Sequence, residues 1–204
     1  MSYTVKEIFL TIQGEGANLG RPAVFIRFAG CNLWSGREQD RATAVCQFCD
    51  TEFVGGTRYD AANLATAAAA LWRGGGERFA VLTGGEPLLQ VDHRLASALR
   101  ERGFRLAVET NGTQPLPCRL DWVCCSPKAG AALVLQEADE LKLVFPQPGL
   151  PPEALAGFRA THRWLSPMWA ADRLASNTQR AAEYCLAHPE WRLAIQAHKH
   201  WGLP

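Results

Sequence analysis

The sequence predicts an α/β fold, a partial and open parallel βα barrel, and three observations carry that expectation. Short apolar runs alternate with longer segments of helical pattern, as strand–helix units around a parallel sheet do. The chain has 204 residues, short of the ~250 that eight full units take. Polar clusters follow the apolar runs, at the strand ends where parallel sheets and barrels place their chemistry. On pattern alone a doubly wound open sheet is the alternative.

Strands are predicted at Ala23–Phe28, Phe79–Leu82, Leu106–Val108, Trp122–Cys125, Leu141–Val144, Trp164–Leu165 and Arg192–Ile195. Helices are predicted at Asp60–Trp72, Val91–Arg102 and Ala170–Ala187. Asp60 suits an N-cap, Gly74–Gly76 and Gly103 stop the first two helices, and Pro189 closes the third. The clusters after the strands are Thr83-Gly84-Gly85-Glu86-Pro87, Glu109-Thr110-Asn111-Gly112, Ser126-Pro127-Lys128, Ser166-Pro167 and Gln196 to His200. In the predicted fold they converge on one mouth.

Composition narrows the class of function. A hydrophobic content of 48% supports a substantial core. Lys and Arg number 21 against 20 Asp and Glu, so there is no basic footprint for nucleic acid or an anionic membrane. The opening MSYTVKEIFLTIQGEG lacks the basic region and apolar run of a signal peptide. No stretch reaches the ~18 apolar residues of a membrane span. The expectation is one domain over residues 1–204, soluble and cytoplasmic.

Seven cysteines without an export signal favour free thiols or metal ligands over disulfides. Cys118, Cys124, Cys125 and Cys185 lie in apolar surroundings and read as small core residues. The other three cluster: fourteen residues separate Cys31 from Cys46, and two separate Cys46 from Cys49. Three thiolates can hold three irons of a four-iron cluster and leave the fourth open to a chelating small molecule, whereas electron-transfer clusters usually have four protein ligands. Zinc is the alternative, although it wants a fourth nitrogen or sulfur ligand and the nearest histidine is His93. A thioredoxin-like pair leaves Cys31 unexplained.

The neighbouring residues resemble the radical S-adenosylmethionine superfamily. Cys46-Gln47-Phe48-Cys49 is similar to its C-x-aromatic-C segment, and Gly84-Gly85-Glu86-Pro87 to its Gly-Gly-Glu-Pro turn. Within it, Phe9 to Gly16, Arg27 to Leu33, Cys46 to Thr51 and Glu109 to Gly112 resemble the 7-carboxy-7-deazaguanine synthase family, over about residues 5–145. The superfamily usually places three residues between its first two cysteines. The longer spacing here marks an inserted loop at about 32–45, which variants of the family share.

The resemblance implies a barrel of the radical S-adenosylmethionine type and a lyase. That enzyme contracts 6-carboxy-5,6,7,8-tetrahydropterin to 7-carboxy-7-deazaguanine with loss of ammonia, on the way to 7-deazapurines such as queuosine. It implies a 4Fe-4S cluster on Cys31, Cys46 and Cys49, S-adenosylmethionine, magnesium, an electron donor such as flavodoxin or ferredoxin, and a homodimer. Phe48, Cys49, Asp50, Gly84, Gly85, Glu86, Ser126, Pro127 and Lys128 are its candidates for holding the cofactor, and Thr51 for magnesium. Candidates for the pterin are Ile12, Gln13, Gly14, Arg27, Thr83 and the terminal Pro204, with His198, Lys199 and His200 available for proton movement. A glycyl-radical activating enzyme and a non-catalytic metal-binding module are the competing readings; Ile12-Gln13-Gly14-Glu15-Gly16 argues against the first.

Overall fold

In the computed structural model, which describes residues 2–170 and 172–204, nine strands pair edge to edge in one open sheet. They are β1 Tyr3–Ile12, β2 Pro22–Phe28, β3 Thr57–Tyr59, β4 Arg78–Gly84, β5 Phe104–Thr110, β6 Trp122–Cys125, β7 Glu137–Phe145, β8 Arg159–Pro167 and β9 Arg192–Leu193. Their order across the sheet is β3-β1-β2-β4-β5-β6-β7-β8-β9. The seven strands from β2 to β9 in that order run parallel, while β1 is antiparallel to both β2 and β3. Strands β3 and β9 are left as edges, so the barrel is partial and open, as predicted.

Four helices accompany the sheet: α1 Ala61–Leu71, α2 His93–Glu101, α3 Leu174–Ala187 and α4 Ala197–Trp201. Asp60 caps α1 by accepting from the Asn63 N–H, and Asp92 caps α2 by accepting from Leu95. Alternation divides each strand between two faces. Val24, Ile26, Ala80, Leu82, Leu106, Val108, Leu141, Leu143 and Leu165 join the large core that takes in α1 and α2. The opposite, concave face is packed lower down by Ala23, Phe79, Val81 and Ala107. Above them, polar residues of the same strands face a cavity.

The structure corrects the sequence reading in several places. Strand β1 was not predicted because a bulge between Val5 and Glu7 shifts its register. Tyr3 and Val5 face the core at odd positions and Ile8 and Leu10 at even ones, so no single period of two runs through it. Strand β3 is three residues long and pairs only with β1. The chain passes from β5 to β6 and from β6 to β7 without a helix, so strand–helix alternation fails in mid-sheet. The third helix begins at Leu174 instead of Ala170, and Ala171, inside the predicted range, lies outside the described residues. No helix among the described residues is long and apolar enough to cross a membrane.

The segment 32–45 is more than a polar loop. Leu33 and Trp34 are buried, and Trp34 meets Phe53 edge-on with ring centroids 5.6 Å apart. A 3-10 turn follows at Glu38–Thr43. Cys124 and Cys125 are buried, and Cys118 and Cys185 pack against the core, in keeping with a role as small apolar residues.

Candidate functional site

A cavity of about 490 Å³ opens at the carboxyl ends of the parallel strands. Its lining joins parts of the chain that are far apart in sequence: Cys31, Cys46 and Cys49 from the first quarter, and Gln196, His198, Lys199 and Pro204 from the last ten residues. Of the residues predicted from the sequence, Ile12, Gln13, Gly14, Arg27, Phe48, Asp50, Thr51, Thr83, Gly84, Gly85, Ser126 and Lys128 also line it. Glu86, Pro127 and His200 do not.

The three cysteines fit a cluster. They are free thiols, they border one space, and each of Cys31 and Cys46 feels the charge of another member of the trio. Burial pushes both thiols up, and binding iron would release their protons. The Leu33 N–H donates to Cys31 Sγ at 3.4 Å, and Lys128 brings a positive charge toward Cys46. Among the described residues, no three His, Cys, Asp or Glu side chains are grouped to hold a single metal ion.

Close approach explains the glycines beside them. A Cβ on Gly85 would lie 2.0 Å from the Gly30 carbonyl oxygen, and one on Gly84 2.2 Å from that of Phe28. The turn after β4 therefore packs backbone to backbone against the Cys31 loop. Glu86 secures it from beneath. Its fully buried carboxylate accepts from the Leu88 N–H and Thr110 Oγ1 on one oxygen and from the Asn111 N–H on the other, at 2.8–2.9 Å. Burial raises this carboxyl's pKa, and the three donors oppose the rise.

The cavity floor holds a group that the sequence reading did not single out. Lys142 Nζ, on β7, lies 2.5 Å from Glu15 Oε2 and 2.8 Å from Glu109 Oε2. The other Glu15 oxygen accepts from Gln196 at 2.8 Å, and Gln13 Nε2 reaches Glu109 at 3.4 Å. Burial works against the Glu15 charge, but Lys142 holds Glu15 below the usual carboxylate range. Burial likewise opposes the lysine's charge, and Glu109 and Glu15 raise it well above its ordinary value. A lysine inside the apolar run Leu141–Val144 was the available signal, since lysine is almost never buried unless paired.

The C-terminal segment closes the far wall. The Ala197 N–H donates to the Gly14 carbonyl at 2.9 Å, and a Cβ on Gly14 would collide with His198. Thr11 Oγ1 donates to the Pro204 carbonyl at 3.1 Å, which places the terminal residue at the cavity. Burial lowers the His198 pKa, so its imidazole favours the neutral form. Two predicted residues already have partners: Arg27 Nε is paired with Glu7 at 2.6 Å, and Asp50 with Lys199 at 2.9 Å. Lys128, whose pKa is lowered by burial, donates to Ser126 Oγ at 2.8 Å.

Comparison with known proteins decides the family. The chain is 56% identical to 7-carboxy-7-deazaguanine synthase of Caulobacter vibrioides and 54% identical to that of Bordetella pertussis, each over the full length of both chains. The chain belongs to the 7-carboxy-7-deazaguanine synthase family. The crystal structure of QueE from Escherichia coli matches with a TM-score of 0.73 at 29% identity, covering 97% of this chain and 95% of that one. No protein-family profile matches the chain. Membership in this family brings radical S-adenosylmethionine chemistry with an iron–sulfur cluster, and the open parallel barrel is the fold that goes with it.

Proposed function

We propose that the chain contracts 6-carboxy-5,6,7,8-tetrahydropterin to 7-carboxy-7-deazaguanine with loss of ammonia, in the formation of 7-deazapurines such as queuosine. The observation that carries this reading is the shared cavity: three cysteines on its rim and a buried Glu15–Lys142–Glu109 group on its floor. When bound, the cluster and S-adenosylmethionine supply one-electron chemistry and hydrogen abstraction.

Cys31, Cys46 and Cys49 hold the cluster in this proposal, and Gly84 and Gly85 admit the methionyl end of the cofactor close to the backbone. The buried Glu86 carboxylate has three donors already, so its share is to hold the turn. Phe48 and Asp50 flank the adenosyl group, and Ser126 and Lys128 offer polar contacts, with Pro127 fixing the turn between them. Thr51 offers magnesium an oxygen at the cavity wall.

On the other side, Gln13, with the backbone of Ile12 and Gly14, borders the pterin ring, while Thr83 and Arg27 lie on neighbouring strands. Glu15 and Glu109 are acceptors suited to the amino edge of the pterin, and Lys142 holds Glu15 ionised. The Pro204 carbonyl adds an acceptor, and neutral His198 can take a proton at a ring nitrogen. The sheet edges β3 and β9 are free for a homodimer, and flavodoxin or ferredoxin is the class of electron donor.

An anaerobic assay tests the reading, using protein reconstituted with iron and sulfide, dithionite, S-adenosylmethionine, magnesium and the carboxypterin. Mass spectrometry is expected to show 7-carboxy-7-deazaguanine. Cluster assembly with cofactor cleavage and no such product would overturn the substrate assignment. About one zinc per chain and no sulfide would overturn the cluster as well.

A further inference from the structure

The inserted segment is stitched to the cysteine loop by one side chain. Arg41, in the 3-10 turn Glu38–Thr43, donates from Nη1 to the carbonyls of Gln47 and Cys49, both at 3.0 Å. Its Nε lies 2.8 and 2.7 Å from the two oxygens of Glu38, and its guanidinium carbon sits 4.1 Å from the centroid of the Trp34 ring. Trp34 is buried and is itself fixed by donating Nε1 to the Arg37 carbonyl at 3.1 Å. The guanidinium is thus held by Glu38 and Trp34, and its Nη1 addresses the loop that carries two of the three cysteines. Two weaker ties run alongside: Gln47 Nε2 donates to the Ala42 carbonyl, and the Cys46 N–H to that of Leu33.

We infer that Arg41 is a positioning residue for the cluster: from within the insertion it fixes the Gln47 and Cys49 carbonyls and so sets the orientation of the Cys46–Cys49 loop. The inference rests on the reading that these cysteines hold the cluster. A peptide unit is planar and trans, so its C=O and N–H point in opposite directions. Holding the Gln47 carbonyl outward turns the Phe48 N–H inward, where it faces the Cys46 sulfur. Hydrogen bonds to cluster sulfurs and nearby charge are levers on the reduction potential of an iron–sulfur centre. Arg41 supplies both, through the peptide it orients and through its own fixed cation. It replaces, by a side chain, the tethering that a three-residue spacing between the first two cysteines would give.

Lysine cannot reproduce the planar fork, the stacking and the pairing together. The test therefore compares the parent protein with Arg41→Gln, Arg41→Lys and Glu38→Gln. In the protein before cluster loading, amide hydrogen exchange across residues 46–50 is expected to quicken at least tenfold in Arg41→Gln. Glu38→Gln, which loosens the guanidinium without removing its carbonyl bonds, is expected to fall between that variant and the parent. In the reconstituted proteins, a redox titration followed by electron paramagnetic resonance is expected to move to more negative potential in Arg41→Gln and to recover partly in Arg41→Lys.

Exchange at residues 46–50 that stays at the parent rate, with any change confined to residues 35–44, would overturn the inference. So would a reconstituted Arg41→Gln protein with the parent's potential. If Arg41→Gln fails to fold, Glu38→Gln and Arg41→Lys decide by the same exchange measurement. A parent protein that assembles no cluster would sink the proposed function and leave exchange to judge Arg41 as an anchor of the loop.

Discussion

Replacing Lys142 by Met removes the one cation between two buried carboxylates while nearly keeping side-chain volume. Side chains of Lys142, Glu15 and Glu109 are only 12%, 14% and 21% exposed, so water does not take the lysine's place. Breaking a buried pair from one side costs about 3–5 kcal/mol. At roughly 2–4 °C per kcal/mol for a chain of this size, the melting temperature falls by about 6–20 °C.

The pH dependence separates this from a packing defect. In the parent, Glu15 is held below its unfolded value of 4.5, so its contribution is complete above that value and is lost as pH falls through the depressed one. Lys142 lies well above its unfolded value of 10.5, so its contribution is complete below 10.5 and is lost only as pH rises through the folded value. Between about pH 5 and 10 the parent group is therefore flat with pH. In Lys142→Met, burial acts on Glu15 against only the Gln196 hydrogen bond and the weaker pull of His198, so its pKa rises and the ionised form becomes the costly one. The deficit then grows as pH rises from 5 to 8, by up to ~1.4 kcal/mol per unit while Glu15 stays protonated in the fold. Urea unfolding of the reduced, metal-free protein at pH 5, 6.5 and 8 measures it. A deficit of equal size at pH 5 and pH 8 would refute the electrostatic account.

Three further outcomes are expected. Glu86→Gln puts an amide NH₂ against one of three buried donors, so stability drops by about 1–3 kcal/mol, and iron content after reconstitution falls with it; unchanged urea and iron titrations would count against Glu86 as the anchor of the turn. Leu106→Ala, at a fully buried position on β5, costs about 2–5 kcal/mol in urea unfolding and leaves the iron content of the surviving folded protein at the parent level. Removing Leu203 and Pro204 deletes the acceptor at the cavity wall, so KM for the carboxypterin rises severalfold while iron content and the cluster spectrum stay unchanged; an unaltered KM would remove the C-terminus from the substrate site.

What could be read before the structure was read through local chemistry. Cys31, Cys46 and Cys49 announce a metal by residue type and spacing, and the Gly84-Gly85 turn announces a close approach by lacking side chains. Strands β2 and β4 to β9 were visible because their apolar residues carry the hydrophobic pattern of buried strands. Strand β1 was hidden by its bulge, and α4 by its shortness. The partnership of Glu15, Glu109 and Lys142 was hidden for another reason: each residue is polar for a partner more than thirty positions away, and a local window sees only an isolated charge.

The sequence alone therefore determined the parallel architecture, the cysteine trio and the family resemblance, since each rests on residues adjacent or nearly adjacent in the chain. Tertiary structure alone decided that the C-terminal residue meets the first strand, that two glutamates share one lysine, and that the insertion grips the cysteine loop through Arg41. Those contacts depend on how the open sheet curves, and curvature is set by the packing of many strands together, so no short stretch of sequence carries it.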